Sequence, residues 1–167
     1  MHPVTSQLSI HTQVEDIFFE SSSKKKFIDQ KERDEFQWKY LGFYLTNYPE
    51  YAWVFLNGAN VLGYIVGMPF TNDSSLFSLQ PHLKKFEHLF SDYPAHLHIN
   101  CHIDGRGKGV GRSLVDQLLG QIRRESVPGI HIMTGTSSDN RYFYEKLGFD
   151  FSQISGEVLF MGKRLAD

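Results

Sequence analysis

The chain lacks the features that would tie it to a membrane, a disulfide framework or a nucleic acid. It has one cysteine, Cys101, so no disulfide can close within it. No run of about 18 apolar residues occurs, which excludes a helical membrane span. Met1 to Ile10 have neither the basic start nor the apolar run of a signal peptide. Lysine and arginine are not gathered into one block, and the net charge is only -2. That speaks against a nucleic-acid partner held through phosphate contacts. The expectation is a cytoplasmic protein with neither membrane nor nucleic acid as partner. What is present is the composition of a folded protein: 41% hydrophobic, 14% aromatic and 22% charged residues. A chain of 167 residues suits one domain spanning 1–167, with a core that needs no disulfide or metal.

No internal repeat and no long linker interrupt it. Ser21 to Lys26 form the one biased run, read as a solvated loop or, alternatively, as a patch for phosphate or acid. Val14 to Glu20 fit helix and strand equally. Lys31 to Tyr48 predict a helix, with Phe36, Tyr40, Phe43, Tyr44 and Leu45 recurring mostly at three- and four-residue steps; Asn47 and Pro49 end it. Trp53–Leu56 and Val61–Val66 predict a hairpin across the turn Asn57 to Asn60. Thr71 to Ser91 is an insert with a short helix expected after Pro81, its apolar face made by Leu83, Phe86, Leu89 and Phe90. From His96 to Ile103 residue types alternate: Leu97, Ile99, Cys101 and Ile103 on one face, His96, His98, Asn100 and His102 on the other. Val110 to Arg124 carry the clearest helical stripe, through Leu114, Val115, Leu118, Leu119 and Ile122, and Pro128-Gly129 stop it. Ile130–Met133 predict a strand, Asn140–Leu147 a short helix closed by Gly148, and Glu157–Lys163 a last strand. Strands early, then strand, helix, strand, helix and strand, make a mixed α/β sheet.

Strand, glycine loop and helix are the parts of an anion site. The first N–H groups of a helix have no internal partner and carry the positive end of its dipole. Glycines let a phosphate approach them, and Arg106, Lys108 and Arg112 add positive charge. A P-loop would need Gly-Lys-Ser/Thr, which is absent. A dinucleotide fingerprint started at Gly105 or Gly107 would put its third glycine on Val110 or Arg112. The spacing present is Arg-x-x-Gly-x-Gly, at Arg106, Gly109 and Gly111.

That spacing resembles motif A of the GNAT superfamily of N-acetyltransferases, [Gln/Arg]-x-x-Gly-x-[Gly/Ala]. Asn140-Arg141-Tyr142-Phe143-Tyr144-Glu145-Lys146-Leu147-Gly148-Phe149 resembles the family's motif B, with a shorter stretch from Asn to Tyr and without the usual alanine. The two stand in order, separated by one helix and one strand. A finer resemblance runs from Tyr40 to Phe149. Tyr40-Leu41-Gly42, Tyr48-Pro49-Glu50, Gly63-Tyr64 and Tyr93 to Ile99 are similar to the acetyltransferase-like domain attached to O-GlcNAc hydrolases and its free-standing bacterial relatives. Those relatives often carry Asp where this chain has Asn100.

The resemblance implies a GNAT fold, a central mixed β-sheet flanked by helices, and acetyl-CoA as co-substrate. It implies a cofactor site on Ile99, Cys101, Ile103, Arg106, Gly107, Lys108, Gly109, Val110, Gly111, Arg112, Ser113, Asn140 and Tyr144. It also implies that the strand's amides run along the pantetheine arm, that one N–H faces the thioester oxygen, and that Tyr144 protonates the departing thiolate. A phenol of pKa about 10 suits a thiolate of about 8.5. The acceptor, a primary amine on a small molecule or a protein, has to lose a proton first. For an alkyl amine of pKa about 10.4 this costs roughly 4–5 kcal/mol at pH 7, while side-by-side binding supplies about 7–11 kcal/mol. His98 and His102 are the candidate bases. No covalent intermediate is needed, so Cys101 reads as a small buried hydrophobe. His-x-His on a strand can chelate, but a metal site wants three or four converging ligands, and none is expected. His131 reads as structural. The acceptor site is expected from the Lys31–Tyr48 helix, its preceding loop and the insert. A homodimer is a further expectation from the family. The alternative to an acetyltransferase is a catalytically inactive acyl-CoA-binding or interaction module of the same fold.

Overall fold

The structure, a computed structural model, describes residues 1–4 and 7–165. Its first half runs β1 (His2–Pro3), α1 (Leu8–Ser21), α2 (Gln30–Gln37), a π-helical turn (Trp38–Gly42), α3 (Phe43–Asn47), β2 (Trp53–Asn57) and β3 (Asn60–Met68). Then follow α4 (Ser74–Leu79), a 3-10 helix (Pro81–Leu89), β4 (Ala95–Cys101), α5 (Val110–Arg124), β5 (Gly129–Gly135), α6 (Arg141–Glu145), β6 (Phe151–Ser155) and β7 (Val158–Arg164). The strands form a seven-stranded mixed sheet in the order β1-β2-β3-β4-β5-β7-β6. The β4–β5 pair is parallel, while β2–β3, β5–β7 and β6–β7 are antiparallel. The chain divides into two compact units, residues 1–67 with 98–120, and residues 68–97 with 121–167.

In the first unit, the ambiguous Val14–Glu20 segment is helix, because Ile10, Val14, Ile17 and Phe18 fall on one buried stripe. Asp29 caps α2 by accepting from the Glu32 amide. The helical run then continues to Asn47, where it was expected to end, but passes through the π turn. The hairpin turn places Gly58 at φ 61°, and Gln13 of α1 grips its end: Nε2 donates to Ala59 O at 3.1 Å and Oε1 accepts from Val61 N at 2.8 Å. Gly63 is buried because a side chain there would meet Val110, Asn100 O and Cys101 Sγ at 3.0–3.1 Å.

In the second unit the insert is folded twice over: α4, capped by Asp73, precedes the 3-10 helix that follows Pro81. Leu83, Phe86, Leu89 and Phe90 are buried as its face predicts. His131 is structural, its Nδ1–H donating to Tyr93 O at 2.7 Å and its ring stacked on Phe90 and Phe160. Thr71 donates to Pro94 O, so the His96 Nδ1 at 3.0 Å from its hydroxyl donates to Thr71. Gly148 closes α6 at φ 82°, with Phe149 N bonded to Tyr144 O. The sequence reading passes over β6, whose alternating half-buried pattern lacks a strong apolar face.

Tyr93 lies flat on Gly129 and Gly162, where Cβ atoms would stand 3.0 and 2.8 Å from its ring. At Gly129 the Asp92 carbonyl would also be 2.2 Å away. Gly129→Ala is therefore expected to destabilise the protein by at least about 1–3 kcal/mol, seen as a lower Tm in thermal denaturation. Gly135→Ala, where a Cβ meets nothing within 4 Å, is the control with little change.

Candidate active site

The glycine loop begins where β4 runs out. Alternation predicted a strand through Ile103, but β4 ends at Cys101, and the chain turns through a 3-10 helix at Ile103–Gly105. His102 N donates to Leu62 O at 3.0 Å, and Gly105 packs so closely that a Cβ would lie 2.5 Å from the same oxygen. This corrects two of the predicted face assignments. Ile103 is 66% exposed rather than in line with Leu97, and His102 no longer shares a face with His98. Its Nδ1 instead accepts from Asp104 N at 3.2 Å, capping the turn. Arg106 is not a freely mobile charge, since its Nε donates to Cys101 O at 3.2 Å.

Gly107 and Gly109 then adopt φ of 72° and 80°, the left-handed region that glycine enters without steric cost. A Cβ at either position would meet no atom within 4 Å, so the outer side of the loop is open. Ser113 N donates to Gly109 O at 3.0 Å, the first bond of the α5 spiral. The amides of Val110 and Gly111 precede that bond, at the end of the helix where N–H groups lack an acceptor within the helix. Val110 is buried, whereas Lys108 and Arg112 are exposed on the same loop and first turn. The donor set fits a pyrophosphate: successive amides at a positive dipole end, cations beside them, and no side chain in the way.

Along β4 the residues Ile99 and Cys101 are half-buried. Burial pushes the Cys101 thiol up, against the smaller pull of the Arg106 charge, so the group is a thiol and a poor nucleophile at neutral pH. On the opposite face two phenols meet the strand. His98 Nε2 lies 3.2 Å from the Tyr44 hydroxyl, and Asn100 Nδ2 donates to the Tyr64 hydroxyl at 2.7 Å. Tyr40 also packs edge-to-face with His98, with centroids 6.0 Å apart.

The two candidate bases thus lie in different hollows. His98 and Asn100 line a pocket of about 240 Å³ with Phe18, Ser22, Ser23, Phe36 and Tyr40. His102 lines a groove of about 560 Å³ with Asp104, Lys108, Asp16 and Glu20. Phe36, Tyr40 and the loop serines belong to the segments expected to hold the acceptor. Phe18 was missed, because its segment read as either helix or strand. The Ser21–Lys26 run is a tethered loop: Lys24 Nζ is 2.6 Å from Glu32 Oε1, and Lys25 donates to Glu20 O. In the second unit Asn140 accepts from Thr134 Oγ1 at 2.8 Å, and Tyr144 is buried against Phe149.

Tyr64 is fully buried, and desolvation holds its phenol above the ordinary value, more than the Asn100 hydrogen bond lowers it. The folded state therefore keeps a proton that the unfolded chain releases near pH 10. Stability from this group is complete below about pH 10 and falls as pH rises above it. Tyr64→Phe is expected to flatten the alkaline loss of stability in denaturant titrations above pH 10. An unchanged slope would mean that the phenol ionises freely.

Comparison with known proteins adds the family. Residues 49–150 match the family described as acetyltransferase (GNAT) domain, well over half of the chain. Among solved structures, SsHAT is similar at 22% identity with a TM-score of 0.82, covering 99% of this chain and 98% of that one. PH1933 from Pyrococcus horikoshii OT3 is similar at 19% identity and TM-score 0.70, with 93% and 90% covered. PaiA N-acetyltransferase from Thermoplasma acidophilum in complex with coenzyme A is similar at 11% identity and TM-score 0.62, with 94% and 91% covered. At these identities the likeness is one of fold.

Proposed function

The chain belongs to the GNAT acetyltransferase family, and from that premise we propose that it moves an acetyl group from acetyl-CoA directly to a primary amine within a ternary complex. The observation that carries this is the glycine loop: left-handed Gly107 and Gly109, open outer space, and the amides of the first turn of α5. Val110 and Gly111 would hold the pyrophosphate through backbone N–H groups, with Lys108 and Arg112 adding charge and the Ser113 side chain beside them. Acetyl-CoA supplies an activated acyl carbon and a thiolate leaving group. A fold neighbour that binds coenzyme A is consistent with that choice.

The protein's own task is proton handling and positioning. The amine has to shed one proton before its nitrogen bonds to the acyl carbon and a second as the C–S bond breaks and the amide forms; of these two protons one ends on the freed sulfur and the other passes through the base to solvent. His98 is the base we favour over His102, because it lines the aromatic pocket in the segment expected to hold the acceptor. Tyr144 is assigned as the proton donor to sulfur, on its match to the family's motif B. The Tyr40–Phe149 resemblance supports, within this reading, kinship with the acetyltransferase-like domains attached to O-GlcNAc hydrolases.

One observation favours a second reading, an acyl-CoA-binding module without catalysis. Where relatives often carry a carboxylate, Asn100 presents an amide that is already committed to Tyr64 and cannot take a proton. Calorimetric titration followed by turnover with a broad amine panel separates the readings: binding with no product on any amine supports the second.

Two outcomes are expected. In calorimetry the protein binds acetyl-CoA and CoA but not ATP, and Gly109→Asp, which adds a side chain and a negative charge at a left-handed position, abolishes that binding. Retained binding in Gly109→Asp would remove the loop from the site. Tyr144→Phe is expected to lower kcat by about 100-fold, within the range of general-acid catalysis, with acetyl-CoA affinity nearly unchanged. A large loss of affinity instead would make Tyr144 a packing residue.

A further inference from the structure

Resting on the acetyl-transfer reading, we infer that the acceptor is an amine borne on a compact aromatic or apolar skeleton, seated in the pocket between Phe18, Phe36, Tyr40, His98 and Asn100. The pocket measures about 240 Å³, below the roughly 300–1,000 Å³ of sites that enclose drug-sized ligands. It has room for one ring or a short branched chain. Its walls are aromatic: the Phe18 and Phe36 centroids are 5.5 Å apart, and those of Phe36 and Tyr40 are 5.1 Å apart. Among the described residues no carboxylate, ammonium or guanidinium lines it; Ser22, Ser23, His98 and Asn100 offer hydrogen bonds, but a second charge on the ligand would find no counter-charge there. That disfavours amino acids, polyamines and phosphorylated amines. An apolar seat also favours the neutral form of the amine, the form that reacts.

The backbone is shaped to present this wall. In a regular α-helix each four-residue step advances about 40° around the axis, so Phe36, Tyr40 and Tyr44 would drift off one line. The wider turn at Trp38–Gly42 takes up that drift. Phe36 packs on Tyr40, and both Tyr40 and Tyr44 reach the His98 ring, with centroids 6.0 and 5.1 Å away. Tyr40 is thereby the specificity residue of the pocket, and Tyr44 a positioning residue for the imidazole.

The test measures binding and turnover separately, with 2-phenylethylamine as probe and spermidine, glucosamine and phenylalanine as comparators, on the protein saturated with acetyl-CoA. The expected result is saturable binding of 2-phenylethylamine and a kcat/KM at least about tenfold above each comparator, the scale set by a ring packed among aromatic walls. Tyr40→Ala should weaken 2-phenylethylamine binding and raise its KM by about tenfold, with Tyr40→Phe restoring both and acetyl-CoA affinity constant throughout. Acetylation of spermidine or glucosamine in preference would overturn the inference. So would a 2-phenylethylamine KM that ignores Tyr40→Ala. Tyr40-dependent binding of 2-phenylethylamine without acetylation of any amine would uphold the pocket and overturn the catalytic reading beneath it.

Discussion

The glycine loop owes its position to the carbonyl of Leu62. It accepts from His102 N at 3.0 Å, and it faces Gly105 at a distance that leaves no room for a Cβ. Together these end β4 at Cys101 and turn the chain away from the strand direction. Everything downstream in the loop follows from that turn. Arg106 folds back on the Cys101 carbonyl, Gly107 and Gly109 take up left-handed conformations, and Gly109 O starts the α5 spiral. A helix offers unpaired amides at its start wherever it begins. What leaves these amides accessible is that glycines precede them and the outer space is open.

The same strand shows how polar groups are accommodated in a half-buried setting. His98 and Asn100 are each met by a buried tyrosine, Tyr44 and Tyr64. Such pairings spare a desolvated amide or imidazole the cost of an unmade hydrogen bond, about 1–3 kcal/mol each. They also fix orientation: Asn100 points its donor at Tyr64, and His98 holds its Nε2 against Tyr44. A side chain so held can serve chemistry without reorganising first. On the other face of β4 the Cys101 thiol is kept protonated by burial, so it is inert as a nucleophile at neutral pH.

Much of this was legible in the residues. The α5 stripe, the hairpin, the insert's apolar face and the Gly148 cap came from periodicity and turn chemistry, which act locally. The glycine turn before α5 followed from glycine spacing. The parts that were not legible depend on contacts distant in sequence. Val14–Glu20 became helix because Val14, Ile17 and Phe18 found a buried face. Strand β6 is paired along β7, from Phe151 opposite Gly162 to Ser155 opposite Val158, yet its own alternation is weak. The end of β4 was misplaced because parity continues through Ile103, while the Leu62 carbonyl, some forty positions earlier, decides where pairing stops.

That misplacement bears on function, because it separates two histidines that sequence parity treats as equivalent. Had β4 continued, His98 and His102 would project from one face as alternates. With the turn at His102, one imidazole faces an aromatic pocket whose lining, among the described residues, carries no formal charge, and the other a groove carrying Asp16, Glu20, Asp104 and Lys108. An imidazole in the second setting has carboxylates beside it, with Asp104 Oδ2 at 3.5 Å from its Nδ1, and its Nδ1 lone pair is spent on the turn. An imidazole in the first has a phenol at Nε2 and aromatic edges around it. Proton transfer from an amine requires a base beside that amine before its pKa matters at all. Where the strand ends therefore decides which histidine lies in the aromatic pocket.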